Sequence, residues 1–180
     1  MKIERTHIEG LLIIKPTVFG DDRGHFFESF REDTLHQEGL TDKFVQDNQS
    51  FSAKGILRGL HFQKAPYAQG KLVRVINGAV LDVAVDIRKE SKTYGQHYKI
   101  ELNEDNKTMF YIPPGFAHGF LTLTNNTIFC YKCTDYYNKD SEGSIFWNSP
   151  ALAIDWNTNS PILSDKDKEA PFFGEFESPF

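Results

Sequence analysis

The sequence has no long apolar segment, only two cysteines and no excess of positive charge. A membrane-spanning helix needs about 20 consecutive apolar residues, and no segment approaches that length. The first ten residues are polar and lack the charged-then-apolar order of a secretory signal. With a net charge of −5 and a pI of about 5.7, the chain does not resemble a nucleic-acid binder. We therefore expect a cytoplasmic protein that binds neither membranes nor nucleic acids, with any phosphate site confined to a local patch.

The two cysteines, Cys130 and Cys133, form a C-x-x-C motif. This spacing could mark a redox pair or half of a zinc site. No second C-x-x-C exists and no histidine pair lies nearby, so we expect reduced structural thiols.

Phenylalanine is abundant, with 16 residues in 180, and aromatic side chains favour strands. Short strand-like segments recur about every ten residues, with Gly, Pro and Asn turn signals between them. This pattern predicts an all-β fold, an antiparallel sandwich or barrel with a few short helices. No repeat, low-complexity tract or linker interrupts the pattern, which predicts one domain over residues 1–180.

Two turns carry hairpin signals. Asn77-Gly78 lies inside the apolar segment 73–88 and predicts a tight hairpin between two strands. Asn125-Asn126 predicts a second hairpin, followed by a strand over 127–137. Alternation along 82–87 places the two aspartates and Ala84 on one face, and the valines and isoleucine on the other.

Helices are few in the prediction. Residues 31–39 are the best short-helix candidate and end at a glycine, and 164–168 could form one helical turn. The mostly polar segment 44–51 is assigned no element and leads into the stretch that follows.

The stretch from Gly55 to Lys71 concentrates chemistry-bearing side chains. It contains Arg58, His61 and Lys71 among apolar residues, and Gly and Pro residues constrain its path. A base, a guanidinium and an ammonium gathered in this way suit an anionic substrate whose reaction needs proton transfer. We interpret the segment as a strand that runs from the core into a functional site.

This stretch and five other motifs together resemble the dTDP-4-dehydrorhamnose 3,5-epimerase family. The motifs are D-D-R-G-H-F-F-E (21–28), G-I-L-R-G-L-H-F-Q (55–63), D-V-A-V-D-I-R (82–88), I-P-P-G-F-A-H-G-F (112–120), Y-K-C-T-D-Y-Y (131–137) and S-P-I-L-S-D-K-D (160–167). The resemblance covers nearly the whole chain. It implies a cupin-like antiparallel jelly roll, a homodimer and no cofactor or metal. It also implies inversion of C3 and C5 of dTDP-4-dehydro-6-deoxy-D-glucose in dTDP-L-rhamnose biosynthesis.

The same resemblance implies roles for individual residues. Histidine titrates near neutral pH, and His61 matches the family's base. Tyr131 matches the acid, and Lys71 is placed to offset negative charge on the C4 oxygen. An imidazole base usually needs an orienting carboxylate. The resemblance favours Asp167, and the other candidates are two strand aspartates, Asp82 and Asp86.

The nucleotide and sugar need cations and a polar frame. Matching motifs implicate Arg23, Glu28, Gln46, Asn48, Arg58, Lys71, His118, Glu142 and Lys166, with Phe26 or Phe27 stacking on thymine. In the family, the segment around Arg23 reaches the site of the neighbouring subunit.

Three other hypotheses remain. A metal-dependent cupin would need a His-x-His pair, but the motif here reads His61-Phe62-Gln63. A non-catalytic sugar-nucleotide-binding module would need no acid–base pair. A related enzyme could invert only C3 or only C5, or move the ketone.

Overall fold

The computed structural model describes residues 1–180, which form thirteen strands and two short α-helices. The strands are β1 (Lys2–Arg5), β2 (Leu12–Lys15), β3 (Val18–Asp21), β4 (Gly24–Phe27), β5 (Gln46–Ser52), β6 (Leu57–Gln63), β7 (Lys71–Asn77), β8 (Ala79–Asp86), β9 (His97–Asn103), β10 (Met109–Ile112), β11 (Phe116–Thr122), β12 (Thr127–Cys133) and β13 (Glu142–Ser144). The helices are α1 (Glu32–Gln37) and α2 (Asp165–Lys168), and 3-10 turns lie at Lys139–Ser141, Pro150–Leu152 and Phe173–Glu175. None of the helices is long and apolar enough to span a lipid bilayer.

Two antiparallel sheets make up the body of the molecule. One has six strands in the order β1-β2-β10-β7-β12-β5, and the other has five in the order β13-β6-β11-β8-β9. The strands β3 and β4 form a separate two-stranded hairpin. The predicted all-β, antiparallel jelly roll with a few short helices is confirmed.

The apolar core has three parts: one between the two sheets, one on the opposite face of the five-stranded sheet and one on the outer face of the six-stranded sheet. Apolar residues of the two sheets meet between them, with Val73 and Phe129 from one and Ala84 and Phe120 from the other. The opposite face of the five-stranded sheet is covered by the chain after β13, including Trp156. Helix α1 packs Leu35 on the outer face of the six-stranded sheet. Strand β8 is buried along its whole length, and its predicted alternation of faces is confirmed.

Both predicted hairpins are wrong. Strand β7 pairs with β10 and β12, whereas β8 pairs with β11 and β9, so Asn77-Gly78 carries the chain from one sheet to the other. The turn at Asn125-Asn126 likewise joins β11 to β12 in the opposite sheet. The local signal for a tight turn was sound, since Gly78 has φ of 84°. A tight turn specifies a reversal of direction but not a pairing partner, which the core between the sheets selects.

The segment 44–51, predicted without an element, contains most of the edge strand β5. Burial alternates along β5, but its inward side chains are polar, so hydrophobicity carried no period-two signal. The helices predicted at 31–39 and 164–168 are confirmed as α1 and α2.

Candidate active site

A cavity of about 410 Å³ lies between the two sheets. The five-stranded sheet contributes Arg58 and His61 from β6 and His118 and Phe120 from β11. The six-stranded sheet contributes Ser50, Lys71 and Tyr131. The remaining wall comes from Ile56, from Leu57 at the start of β6, and from the segment 161–168, which we call the C-terminal strap. The cavity therefore draws on segments that are distant in the sequence.

Strands β6 and β11 approach closely, which aligns the two cavity histidines. His118 pairs directly with His61 in the ladder. The approach needs glycine on both strands, because a Cβ at Gly59 would lie 2.5 Å from the Cα of Gly119. Side chains directly opposite in an antiparallel pair share one face of the sheet, so both imidazoles line the cavity.

His61 has a buried carboxylate behind it. Its Nε2 lies 2.5 Å from Oδ1 of Asp167, whose side chain is only 3% exposed. Burial is the largest single influence and would raise the pKa of Asp167, but the hydrogen bond to His61 and its charge, with smaller contributions from Ser164 and Lys166, together lower that pKa. Asp167 is therefore an ionised partner that can hold the imidazole in one orientation and stabilise positive charge on it.

The C-terminal strap places Asp167 through backbone contacts. The Leu57 amide donates to the carbonyl of Ile162 (3.0 Å), and the Ile162 amide donates to the carbonyl of Gly55 (2.8 Å). Ser164 then caps α2, its hydroxyl accepting a hydrogen bond from the Asp167 amide at 3.2 Å. The S-x-x-D spacing before a helical turn is a sequence signal for this cap.

The other two candidate carboxylates have different partners. Both oxygens of Asp82 lie within 3.0 Å of Nε2 of His118. Asp86 accepts hydrogen bonds from Arg88, Ser91 and Thr93. Of the three aspartates considered, only Asp167 contacts His61.

Tyr131 and Lys71 face the cavity from the sheet opposite His61. Burial raises the pKa of the Tyr131 hydroxyl, and the nearby Cys133 and Glu142 raise it further, so the phenol keeps its proton. Burial lowers the pKa of Lys71, although Cys133, Asp82 and Glu142 act in the opposite direction. A histidine and a tyrosine thus approach one space from opposite sides, with an amine beside them.

A second cavity of about 400 Å³ shares His61, Lys71 and Tyr131 with the first. Its other lining residues are mostly polar: Gln46, Asn48, Phe62, Gln63, Gln69, Tyr137 and Glu142. Glu142 pairs with Lys166 at 2.5 Å and accepts a hydrogen bond from the Tyr137 hydroxyl at 3.0 Å. The structure therefore brings Gln46, Asn48 and Glu142 to one polar space beside the first cavity, and Lys166 is paired with Glu142.

Apart from Lys166, which is linked to the second cavity only through its pair with Glu142, four predicted binding residues line neither cavity of their own chain. Arg23 is exposed and pairs with Asp21 at the tip of the β3–β4 hairpin, and Phe26 is exposed on β4. Phe27 packs beside the guanidinium of Arg74. Glu28 pairs with Arg31 at 3.4 Å. Within one chain, these side chains do not join the site.

The two cysteines are free. Burial raises the pKa of both thiols, so they remain protonated near neutral pH. No group of three or more His, Cys, Asp or Glu side chains converges in the arrangement of a metal site.

A jelly roll with a carboxylate-backed histidine and a tyrosine on opposite walls of one cavity defines a cupin-like protein with an acid–base site. A family model described as dTDP-4-dehydrorhamnose 3,5-epimerase matches residues 5–175. The chain belongs to this family, as its sequence motifs predicted.

Relatives match along nearly the whole chain. The dTDP-4-dehydrorhamnose 3,5-epimerase of Salmonella typhimurium is 51% identical over 177 residues, covering 97% of each chain. A solved dTDP-6-deoxy-D-glucose-3,5-epimerase from Legionella pneumophila, in complex with dTDP-4-keto-L-rhamnose, is 49% identical with a TM-score of 0.94, covering 98% of this chain and 94% of that one. A solved 3′-monoepimerase from Streptomyces bikiniensis, in complex with dTDP-quinovose, is 32% identical with a TM-score of 0.89, covering 94% and 86%.

Proposed function

We propose that this protein inverts C3 and C5 of dTDP-4-dehydro-6-deoxy-D-glucose, giving dTDP-4-dehydro-L-rhamnose for dTDP-L-rhamnose biosynthesis. The observation that carries the proposal is the placement of His61 and Tyr131 on opposing sheets around one cavity. Inversion at carbon requires a proton to leave one face and another to arrive at the opposite face. The relatives named as 3,5-epimerases support the same reaction.

Proton removal is assigned to His61. The C4 ketone acidifies the protons on C3 and C5, so a neutral imidazole can remove each in turn and leave an enolate. Asp167 stabilises the imidazolium that forms, because its carboxylate is buried and ionised against the ring. Lys71 offsets the negative charge on the C4 oxygen, as preorganised positive groups do for developing oxyanions.

Proton return is assigned to Tyr131. Its hydroxyl keeps its proton because burial raises its pKa, and it faces the cavity from the sheet opposite His61. Protonation from that side gives the inverted centre. After each inversion the His61 imidazolium releases its proton to solvent and the Tyr131 phenolate takes one up, so that both groups are restored before the second carbon reacts.

The nucleotide is assigned to the second, polar cavity. Gln46, Asn48 and Glu142 line it, and Lys166 pairs with Glu142 at its edge. Because the two cavities meet at His61, Lys71 and Tyr131, a ligand spanning both would present its sugar to the acid–base pair. Arg58 and His118 line the first cavity and are assigned to contacts with the sugar and its diphosphate.

We also propose a homodimer in which the β3–β4 hairpin completes the partner's site with Arg23, Phe26, Phe27 and Glu28. The hairpin pairs with no other strand of its own chain and exposes Phe26. The mass in solution should be twice the chain mass of 20.6 kDa. Mixing Arg23→Ala with His61→Asn protein and allowing subunit exchange should recover activity, because one site of each hybrid then has both side chains intact. No recovery would place Arg23 outside the partner's site.

Proton NMR in deuterium oxide tests the reaction itself. The protein is incubated with dTDP-4-dehydro-6-deoxy-D-glucose, and deuterium at C3 and C5 is followed separately. We expect exchange and inversion at both carbons. Exchange at only one carbon would replace the double epimerase with a C3-only or C5-only enzyme; the likeness to the 3′-monoepimerase is the observation behind the C3-only alternative. Movement of the ketone would indicate a ketoisomerase.

A further inference from the structure

The inward face of β5 carries four polar side chains in a row: Gln46, Asn48, Ser50 and Ser52. Three of them have hydrogen-bond partners within the chain. Gln46 donates to Asn48 at 3.1 Å, Asn48 contacts the thiol of Cys133, and Ser52 accepts from Arg58 at 3.3 Å. Ser50 differs from its neighbours, because its hydroxyl oxygen is buried and has no hydrogen-bond partner.

Unpartnered buried polar atoms are rare in this molecule. Only one other side-chain atom shares this state, the indole nitrogen of Trp147, which lies outside both cavities. A buried hydroxyl without a partner destabilises a fold by about 1–3 kcal/mol. Such a group in a native protein calls for a reason, and a ligand that supplies the missing hydrogen bond is one.

The position of Ser50 indicates which ligand that would be. Ser50 lines the first cavity together with His61, Lys71, His118 and Tyr131. It pairs across the sheet with Phe129, and Tyr131 occupies the next inward position along β12. Ser50 is therefore on the sheet that carries the proposed proton donor, and it borders the space assigned to the sugar.

We propose that Ser50 is a substrate-binding residue whose hydroxyl hydrogen-bonds an oxygen of the bound sugar diphosphate. This inference rests on the proposed function, since it takes the cavity to be the substrate site. A serine hydroxyl can donate and accept, so it can bind a sugar hydroxyl or a diphosphate oxygen. It remains unsatisfied until substrate enters, and its hydrogen bond strengthens binding without stabilising the empty protein.

The test compares Ser50→Ala with Ser149→Ala. Ser149 is a matched control, because it is also buried but fully partnered and lies outside the cavities. Its hydroxyl donates to the carbonyl of Phe146 at 2.8 Å and accepts from the amide of Phe173 at 3.0 Å. Urea denaturation measures stability, and calorimetric titration measures the affinity for dTDP and for dTDP-6-deoxy-D-glucose, which lacks the ketone and is not turned over.

Opposite patterns are expected for the two variants. Ser50→Ala should leave stability equal or raise it, and should weaken binding of dTDP-6-deoxy-D-glucose by about 3- to 10-fold, the range for one neutral hydrogen bond. Ser149→Ala should lower stability and leave affinity unchanged. An equal loss with dTDP assigns the bond to the diphosphate, whereas a loss only with the sugar nucleotide assigns it to the sugar.

Unchanged affinity for both ligands in Ser50→Ala would overturn the inference, as would a loss of stability like that of the control. Turnover of dTDP-4-dehydro-6-deoxy-D-glucose by the parent protein would show that only the Ser50 inference has failed and that the proposed function stands. If the parent neither binds dTDP-6-deoxy-D-glucose nor turns over the ketone, the proposed function fails and this inference with it.

Discussion

Replacing Asp167 with asparagine removes one charge behind His61 and changes almost no volume. The carboxylate is nearly inaccessible and lies 2.5 Å from the ring nitrogen. It does not need to touch substrate, so binding should change little. Its charge matters most when His61 takes a proton, because an ion pair then exists in the transition state that was absent in the ground state.

The magnitude follows from this geometry. Two unit charges about 4 Å apart attract by about 4 kcal/mol at an effective dielectric of about 20. If the proton is half transferred in the transition state, the Asp167 charge stabilises that state by about half of this energy. Each 1.4 kcal/mol of stabilisation corresponds to about a tenfold change in rate. We therefore expect kcat of Asp167→Asn to fall by about 30-fold if the proton is half transferred in the transition state and by up to about 1000-fold if it is fully transferred, with KM nearly unchanged.

Deuterium exchange followed by proton NMR measures this effect at each carbon. The loss should be equal at C3 and C5, because one base serves both. Asp165→Asn is the matched control, since Asp165 lies on the same helix but is exposed and pairs with Lys168, and it should keep the parent rate. A parent rate in Asp167→Asn would refute the role of the carboxylate. A loss at only one carbon would refute the assignment of one base, His61, to both C3 and C5.

Tyr131→Phe should lower inversion by about 10²–10⁴-fold while exchange with retention continues at His61, as the same NMR experiment would detect; inversion at the parent rate would place the acid elsewhere. Ser164→Ala removes the cap of α2, worth about 1 kcal/mol, and should lower kcat more than it raises KM. Ser164→Asp, which restores an acceptor at the cap, should recover the rate, and a parent kcat in the alanine variant would contradict a positioning role. Burial would raise the pKa of Asp86, but hydrogen bonds led by Arg88 lower it to about 2. This lies below the unfolded value of about 3.9, so the stabilisation is present above pH 4 and is lost as the pH falls towards 2. Asp86→Asn should therefore lower the free energy of unfolding at pH 7 by about 2 kcal/mol in urea titrations, with a smaller loss at low pH. If the free energy of unfolding of the variant falls below pH 4 as steeply as that of the parent, this reasoning is contradicted.

Local sequence predicted much of the fold and part of the site. Turn signals and short alternating segments predicted an all-β antiparallel molecule, because strand propensity and reversal depend on neighbouring residues. The segment 55–71 placed Arg58, His61 and Lys71 near one another through chain continuity alone. The segment 44–51 was missed as a strand because its inward residues are polar and face a cavity rather than the core.

The tertiary structure decided which strands pair and which carboxylate contacts His61. Asn77-Gly78 signals a reversal correctly, yet β7 and β8 lie in different sheets, where Val73 and Val75 of β7 pack with Val80 and Ala84 of β8 in one core between the sheets. Three aspartates were equal candidates by chemistry to orient His61. The contact with Asp167 spans 106 residues and exists only because the C-terminal strap packs beside β6.

By itself, then, the sequence determined the residue types of the site, the class of fold and the family, because each is encoded in short motifs and local periodicity. Which carboxylate backs which histidine, which wall carries the tyrosine and which hydroxyl is left without a partner were decided by the tertiary structure. These features depend on contacts between segments far apart in the chain. Such contacts are selected by burial of the shared core as a whole, and no local pattern specifies them.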